Sequence, residues 1–142
     1  MRVSECMSRG VEIASPEDSI QHVARKLREI DAGVMPVGEN DRLVGMITDR
    51  DIAIRAVAEG LGPETPVRAI MTRELRYCFE DEAIDDVSEQ MGEYKVRRLP
   101  VLNREKRLVG IISLGDLSQS DGATSGKALS EISEPGGLHS QH

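Results

Sequence analysis

The sequence predicts an α/β (α+β) fold made of two similar units, each running strand, helix, strand, strand, helix. Three observations predict it. The chain repeats itself: Arg42-Leu43-Val44-Gly45-Met46-Ile47-Thr48-Asp49-Arg50-Asp51-Ile52 returns as Arg107-Leu108-Val109-Gly110-Ile111-Ile112-Ser113-Leu114-Gly115-Asp116-Leu117, a period of about 65 residues. Apolar residues upstream of each copy recur at helical spacing. The runs Leu43–Ile47 and Leu108–Ile112 are short, apolar and bounded by turn residues, as buried strands are.

In the first unit, Val11-Glu12-Ile13 reads as a short strand. Ser15 is placed as the N-cap of a helix with Pro16 at its first position. Ile20, Val23, Ala24, Leu27 and Ile30 then share one face, and Gly33 ends the helix. Val34-Met35-Pro36-Val37 is a second strand, Gly38-Glu39-Asn40-Asp41 a turn, and Leu43–Ile47 the third strand. Asp51 to Ala58 reads as the closing helix, stopped by Gly60.

The second unit repeats the order. Ile84, Val87, Ser88 and Met91 form the helical face, Leu99-Pro100-Val101-Leu102 is the second strand and Leu108–Ile112 the third. Met7 aligns with Met71, Ile20 with Ile84 and Pro36 with Pro100; one extra residue then enters the second copy, so that Gly45 meets Gly110. The expected division is 1–60 and 61–118, joined by the two-proline stretch Gly60-Leu61-Gly62-Pro63-Glu64-Thr65-Pro66, with 119–142 a Ser- and Gly-rich flexible tail.

Composition narrows the function. The net charge of −7 opposes nucleic-acid phosphates, and one Phe, two Tyr and no Trp leave little to stack on bases. No run of 18 apolar residues spans a membrane. Cys6 and Cys78 form no Cys-x-x-Cys and read as reduced thiols of a cytoplasmic protein. There is no glycine-rich phosphate loop, no metal-ligand spacing and no nucleophile with a visible base, so no metal and no catalysis are expected.

The chemistry sits in the repeated motif. A Thr or Ser at a strand end, followed three residues later by Asp, places a hydroxyl and a carboxylate where a helix begins. The carboxylate can accept from both hydroxyls of a ribose, and the helix N-terminus favours an anion. The same spacing is a helix-capping pattern, and Ser15-x-x-Asp18 looks like a cap alone. The Gly-apolar prefix and the duplication set Thr48 with Asp51, and Ser113 with Asp116, apart as ribose candidates that can also cap.

Two copies of "short strand, helix, apolar-Pro-Val, Leu-Val-Gly-apolar-Ile-[Thr/Ser]-x-x-Asp" resemble a tandem pair of cystathionine β-synthase (CBS) domains, over about residues 3–118. The resemblance implies a pseudo-twofold module whose inter-repeat clefts bind adenosine-containing ligands, with the motif of one repeat facing the segment before the proline of the other. On that pattern Thr48 and Asp51 face Arg97 and Arg98, and Arg50 adds a third cation for phosphate. The alternative for Arg97 and Arg98 is a solvated charge pair. An adenine slot is implied around Thr72 to Tyr77, where Tyr77 is either a base contact or core. Ser113 and Asp116 face no cation, so that site is expected to be the weaker.

The expected protein is therefore a non-catalytic, energy-sensing regulator binding an adenine nucleotide: AMP first, with ATP, ADP or NAD as alternatives. The resemblance further implies a homodimer through the CBS helices. An unknown protein partner is expected, but neither nucleic acid nor membrane. The competing reading is a structural or interaction module with vestigial sites.

Overall fold

The computed structural model describes residues 1–73 and 75–118. Helices and small sheets are mixed in an α+β arrangement. Among the described residues two compact units are present, and they are cut differently from the two sequence repeats: one is Glu12–Leu75, the other Met1–Val11 together with residues 76–118. Each unit takes its leading segment from the other repeat.

In the unit Glu12–Leu75, strands β1 (Val34–Glu39) and β2 (Arg42–Thr48) form an antiparallel hairpin running from Val34↔Thr48 to Glu39↔Arg42. Asn40 and Asp41 make its turn at φ 55° and 65°, the left-handed conformation that short polar side chains tolerate and hairpin twist requires. Helix α1 (Ile20–Ile30) buries Ile20, Val23 and Leu27. Its cap is Ser19, whose side chain accepts from the His22 N–H at 3.1 Å, and not Ser15. Ser15 starts a separate turn in which its N–H donates to Asp18 Oδ2 at 2.8 Å. The helix ends on Asp31 at φ 53° rather than on Gly33, and the Gly33 carbonyl instead accepts from the Asp49 N–H. Ala24 and Ile30 lie exposed, off the packed stripe. The expected strand at Val11–Ile13 is absent; Ala14 alone makes a parallel bridge to Val37.

The linker does not stand apart. The Ile20 N–H donates to the Thr65 carbonyl and the Val67 N–H to that of Asp18. Val67, Ile70 and Met71 then enter the core with Val23, Leu27 and Ile47, and Thr72 pairs with Met46 through two backbone bonds of 2.8 and 2.9 Å. Beyond β2, one regular helix was expected from Asp51 to Ala58. A π-helical turn, Asp51–Ala56, is found, followed by a 3-10 turn, Val57–Glu59, closed by Gly60 at φ 79°. The Val57 N–H is shared by the carbonyls of Ala53 and Ile52, and the bond to Ile52, five residues back, widens the turn.

In the other unit, strand β3 (Cys78–Phe79) runs parallel to β4 (Arg98–Leu102), which is antiparallel to β5 (Leu108–Ser113). Helix α2 (Ile84–Tyr94) buries the expected Ile84, Val87, Ser88 and Met91, and α3 (Leu114–Ser118) follows β5. The leading segment completes this unit as Val67–Thr72 completes the first. Val3 and Met7 pack with Val101 and Ile112, and Ser8 exchanges backbone hydrogen bonds of 2.9 and 3.0 Å with Ile111. The repeated glycines explain how: a Cβ on Gly45 would lie 2.9 Å from the Thr72 carbonyl oxygen, and one on Gly110 would lie 2.6 Å from that of Ser8. Only glycine lets these segments close on the strand.

Candidate functional site

In the unit Glu12–Leu75, β2 delivers Thr48 to the start of the π turn. The Thr48 N–H donates to Asp51 Oδ2 at 3.0 Å, and the Asp51 N–H donates to Thr48 Oγ1 at 2.9 Å. This reciprocal pair is a capping box and holds the carboxylate in one orientation, 9 % exposed. Thr72, carried in by its pairing with Met46, brings its hydroxyl 3.4–3.5 Å from both carboxylate oxygens.

Arg55 joins this cluster and was not singled out in the sequence. Its Nη1 donates to the Ile70 carbonyl at 3.0 Å and to that of Met71 at 3.4 Å, and lies 3.8 Å from Asp51 Oδ1. One guanidinium thus ties the π turn to the segment bearing Thr72. Its position four residues after Asp51 was the available signal, since such pairs share a helix face. The guanidinium is half exposed, so the ion pair itself contributes little, about 0.5 kcal/mol. Its value lies in placing a cation beside the carboxylate. Arg50 is exposed, its N–H donating to Asp49 Oδ1.

The counterpart in the other unit is built alike. The Ser113 N–H donates to Asp116 Oδ2 at 2.9 Å, the Ser113 hydroxyl to the same oxygen at 3.0 Å, and the Asp116 N–H to Ser113 Oγ at 3.2 Å. Arg98 lies opposite Ser113 in the β4–β5 register, and the Arg97 carbonyl accepts from the Leu114 N–H. Arg97 is exposed and Arg98 half-buried. Tyr77 stacks edge-on against Phe79 with ring centroids 5.6 Å apart, and the Arg104 guanidinium lies 4.1 Å from the Phe79 ring centroid. Of the sequence candidates, then, Thr48, Asp51 and Thr72 converge in one unit, and Ser113 and Asp116 in the other.

Cys78 lies in the core, 1 % exposed, and burial pushes its thiol up to about 12, with Glu82 adding to the shift. Its folded pKa lies above the usual thiol value, so its contribution to stability is intact below about 9. That contribution declines as pH rises toward 12. Iodoacetamide at pH 8 is expected to leave Cys78 unmodified in the folded protein and to alkylate it in urea, as peptide mass mapping would read. Modification of the folded protein would contradict this burial.

The CBS domain model matches residues 3–57 and 67–121. A CBS domain-containing protein of Bacillus subtilis, YhcV, is 38% identical over 133 residues, covering 92% of this chain and 94% of its own. The crystal structure of Hypoxic Response Protein I with two coordinated zinc ions matches with a TM-score of 0.77 and 33% identity, over 85% of this chain and 99% of that one. The CBS domain pair of protein MJ0100, in complex with 5′-methylthioadenosine and S-adenosyl-L-methionine, matches at 0.73 with 31% identity, over 87% and 97%. PAE2072 from Pyrobaculum aerophilum, complexed with AMP, matches at 0.75 with 25% identity, over 90% and 98%.

These findings correct the expected ligand set. AMP does not stand first, since similar structures hold uncharged-tail and sulfonium adenosines as well. The expectation that no metal belongs to such a chain is overturned by the zinc ions of Hypoxic Response Protein I. Here, among the described residues, no three His, Cys, Asp or Glu side chains form a metal-holding group, and the buried, protonated Cys78 thiol is a poor thiolate donor. The described residues do not fit zinc. Also among them, no helix is long and apolar enough to cross a membrane.

Proposed function

Because the chain belongs to the CBS domain family, as a pair of repeats, we propose that it is a non-catalytic regulatory module that binds an adenosine-bearing ligand. CBS pairs are in general regulatory rather than catalytic. The observation that carries the reading is the Asp51 carboxylate. Its Oδ2 is held by Thr48, while Oδ1 lies 3.5 Å from a hydroxyl and 3.8 Å from a cation. A ribose diol donates two hydrogen bonds to such a carboxylate, and the adjacent charge suits a phosphate.

In this proposal Asp51, Thr48 and Thr72 hold the ribose, and Arg50 and Arg55 are the cations for a phosphate-bearing ligand. Ser113 and Asp116 form a second ribose site, with Arg98 opposite Ser113 across the β4–β5 register. Binding shifts the population of packing states in a cytoplasmic homodimer, which a protein partner reads.

A second reading keeps one observation in its favour: both motif carboxylates are already occupied as helix caps. It makes the chain an interaction module with vestigial sites. Thermal melting separates the two. AMP, ATP, NAD, 5′-methylthioadenosine and S-adenosylmethionine are each added at millimolar concentration. A ligand at a hundred times its Kd stabilises by about 2.7 kcal/mol, so at least one is expected to raise Tm by several degrees. A flat response to all five supports the vestigial reading.

A further inference from the structure

Within the unit Glu12–Leu75, helix α1 and the π turn border a cavity of about 380 Å³. Small-molecule sites run from about 300 to about 1,000 Å³. Leu27, Ala32 and Ile52 give this one an apolar floor, and Arg28, Asp31 and Asp49 a charged, exposed rim. Thr48, Asp51 and Thr72 do not line it, so it is a different place from the ribose cluster.

The other repeat fills the aligned positions with apolar side chains. Met91, Val96 and Leu117 align with Leu27, Ala32 and Ile52, and Leu114 aligns with Asp49. Met91 and Leu117 are buried in one cluster, with Val96 and Leu114 packed against it. In the unit Glu12–Leu75 a carboxylate stands where the other repeat has Leu114, and Ile52 reaches only the edge of its core. The backbone differs at the same point: Ile52 lies in the π turn, Leu117 in the regular helix α3. π turns of this kind gather at functional sites. One repeat thus gives up apolar packing where a cavity and three charges stand.

The charges set the chemistry of the ligand. Among the described residues, neither Arg28 nor Asp31 has a side-chain hydrogen bond or ion pair. Asp49 Oδ1 accepts from the Arg50 N–H at 2.8 Å, and a carboxylate has further acceptor sites. The C-terminus of α1, capped by Asp31, adds partial negative charge. We propose that the cavity binds a free α-amino acid with an apolar side chain. Its ammonium meets Asp31 and Asp49, its carboxylate takes charge-assisted bonds from Arg28, and its side chain covers Leu27, Ala32 and Ile52. A simple amine would leave Arg28 facing a like charge, and a simple carboxylate would face two acids. The zwitterion satisfies both ends.

Calorimetric titration of the full chain with L-leucine, L-methionine and L-phenylalanine tests this, with melting curves to verify folding. At least one is expected to bind saturably at millimolar concentration or below. Its analogues lacking the carboxylate or the ammonium (isoamylamine and isovalerate in the case of leucine) should bind at least about tenfold more weakly, the loss of charge-assisted bonds. Arg28→Gln should weaken the amino acid by about tenfold or more, and Asp49→Leu, which restores the residue type of the other repeat, should abolish binding. Glu29→Gln, exposed on α1 but outside the lining, should match the wild type. No binding of any of the three overturns the proposal. So does an amine that binds as tightly as its amino acid, or an Arg28→Gln variant of unchanged affinity. The adenosine reading stands or falls separately, since its ribose cluster lies outside this cavity.

Discussion

Gly110→Ala is expected to destabilise its unit by about 3 kcal/mol, at the upper end of what overpacking a core costs. The new methyl would meet the Ser8 carbonyl oxygen at 2.6 Å and Met7 Sδ at 2.9 Å. Met7 can swing, but Ser8 cannot, because its backbone is bonded to Ile111 on both sides. Relief therefore means breaking the pair that fixes the leading segment, and with it the packing of Val3 and Met7. Gly45→Ala should behave similarly with a smaller loss, its nearest backbone atom being 2.9 Å away. Gly115→Ala is the control: its nearest neighbour is Ser113 Oγ at 3.6 Å, an ordinary contact. Urea unfolding of the three variants should rank them in that order, and a Gly110→Ala midpoint equal to that of the wild type would contradict the close approach.

Asp51→Ala is expected to weaken adenosine-ligand affinity by about a hundredfold, equivalent to about 2.7 kcal/mol for charge-assisted bonds to two hydroxyls. It also removes the capping box, at about 1 kcal/mol of stability. The chain provides its own control for that second effect. Asp18 accepts from the Ser15 N–H in the same turn geometry, at 2.8 Å against 3.0 Å for Asp51 and Thr48. Asp18→Ala should cost similar stability and leave ligand affinity unchanged. Asp51→Asn, which retains an acceptor for Thr48 but loses the charge, should keep the fold and lose most of the affinity. Equal ligand affinity in Asp18→Ala and Asp51→Ala would mean that the motif is a cap and nothing more.

The elements were legible in the sequence where period and composition agreed. The α2 face, both Pro strands and both Gly strands lie where the apolar pattern puts them, because a core selects those side chains directly. The start of α1 was misplaced by four residues. Ser15-Pro16-Glu17-Asp18 satisfies every local rule for a helix entry, yet Pro16 and Asp18 give their carbonyls to Arg68 and Val67. Long-range pairing overrode a local signal. The π turn was not legible either, since nothing in Asp51–Ala56 distinguishes a wide turn from a regular one. The exchange of leading segments was hidden for a similar reason. Met7 and Met71 are equivalent by alignment, but which strand each packs on is decided by tertiary contacts. At the site, the Thr48–Asp51 and Ser113–Asp116 pairs could be read from spacing alone. Arg55 carried only the weak signal of standing four residues after Asp51; its bonds to the Ile70 and Met71 carbonyls are long-range and leave no mark in the local sequence.

The measurement that tests the account most directly is calorimetric titration of wild type, Asp18→Ala and Asp51→Asn with whichever adenosine compound raises Tm most. The account predicts saturable binding to the first two with matching affinity, and loss of most of that affinity in Asp51→Asn. Unchanged binding to Asp51→Asn would contradict it, placing the ligand elsewhere on the chain.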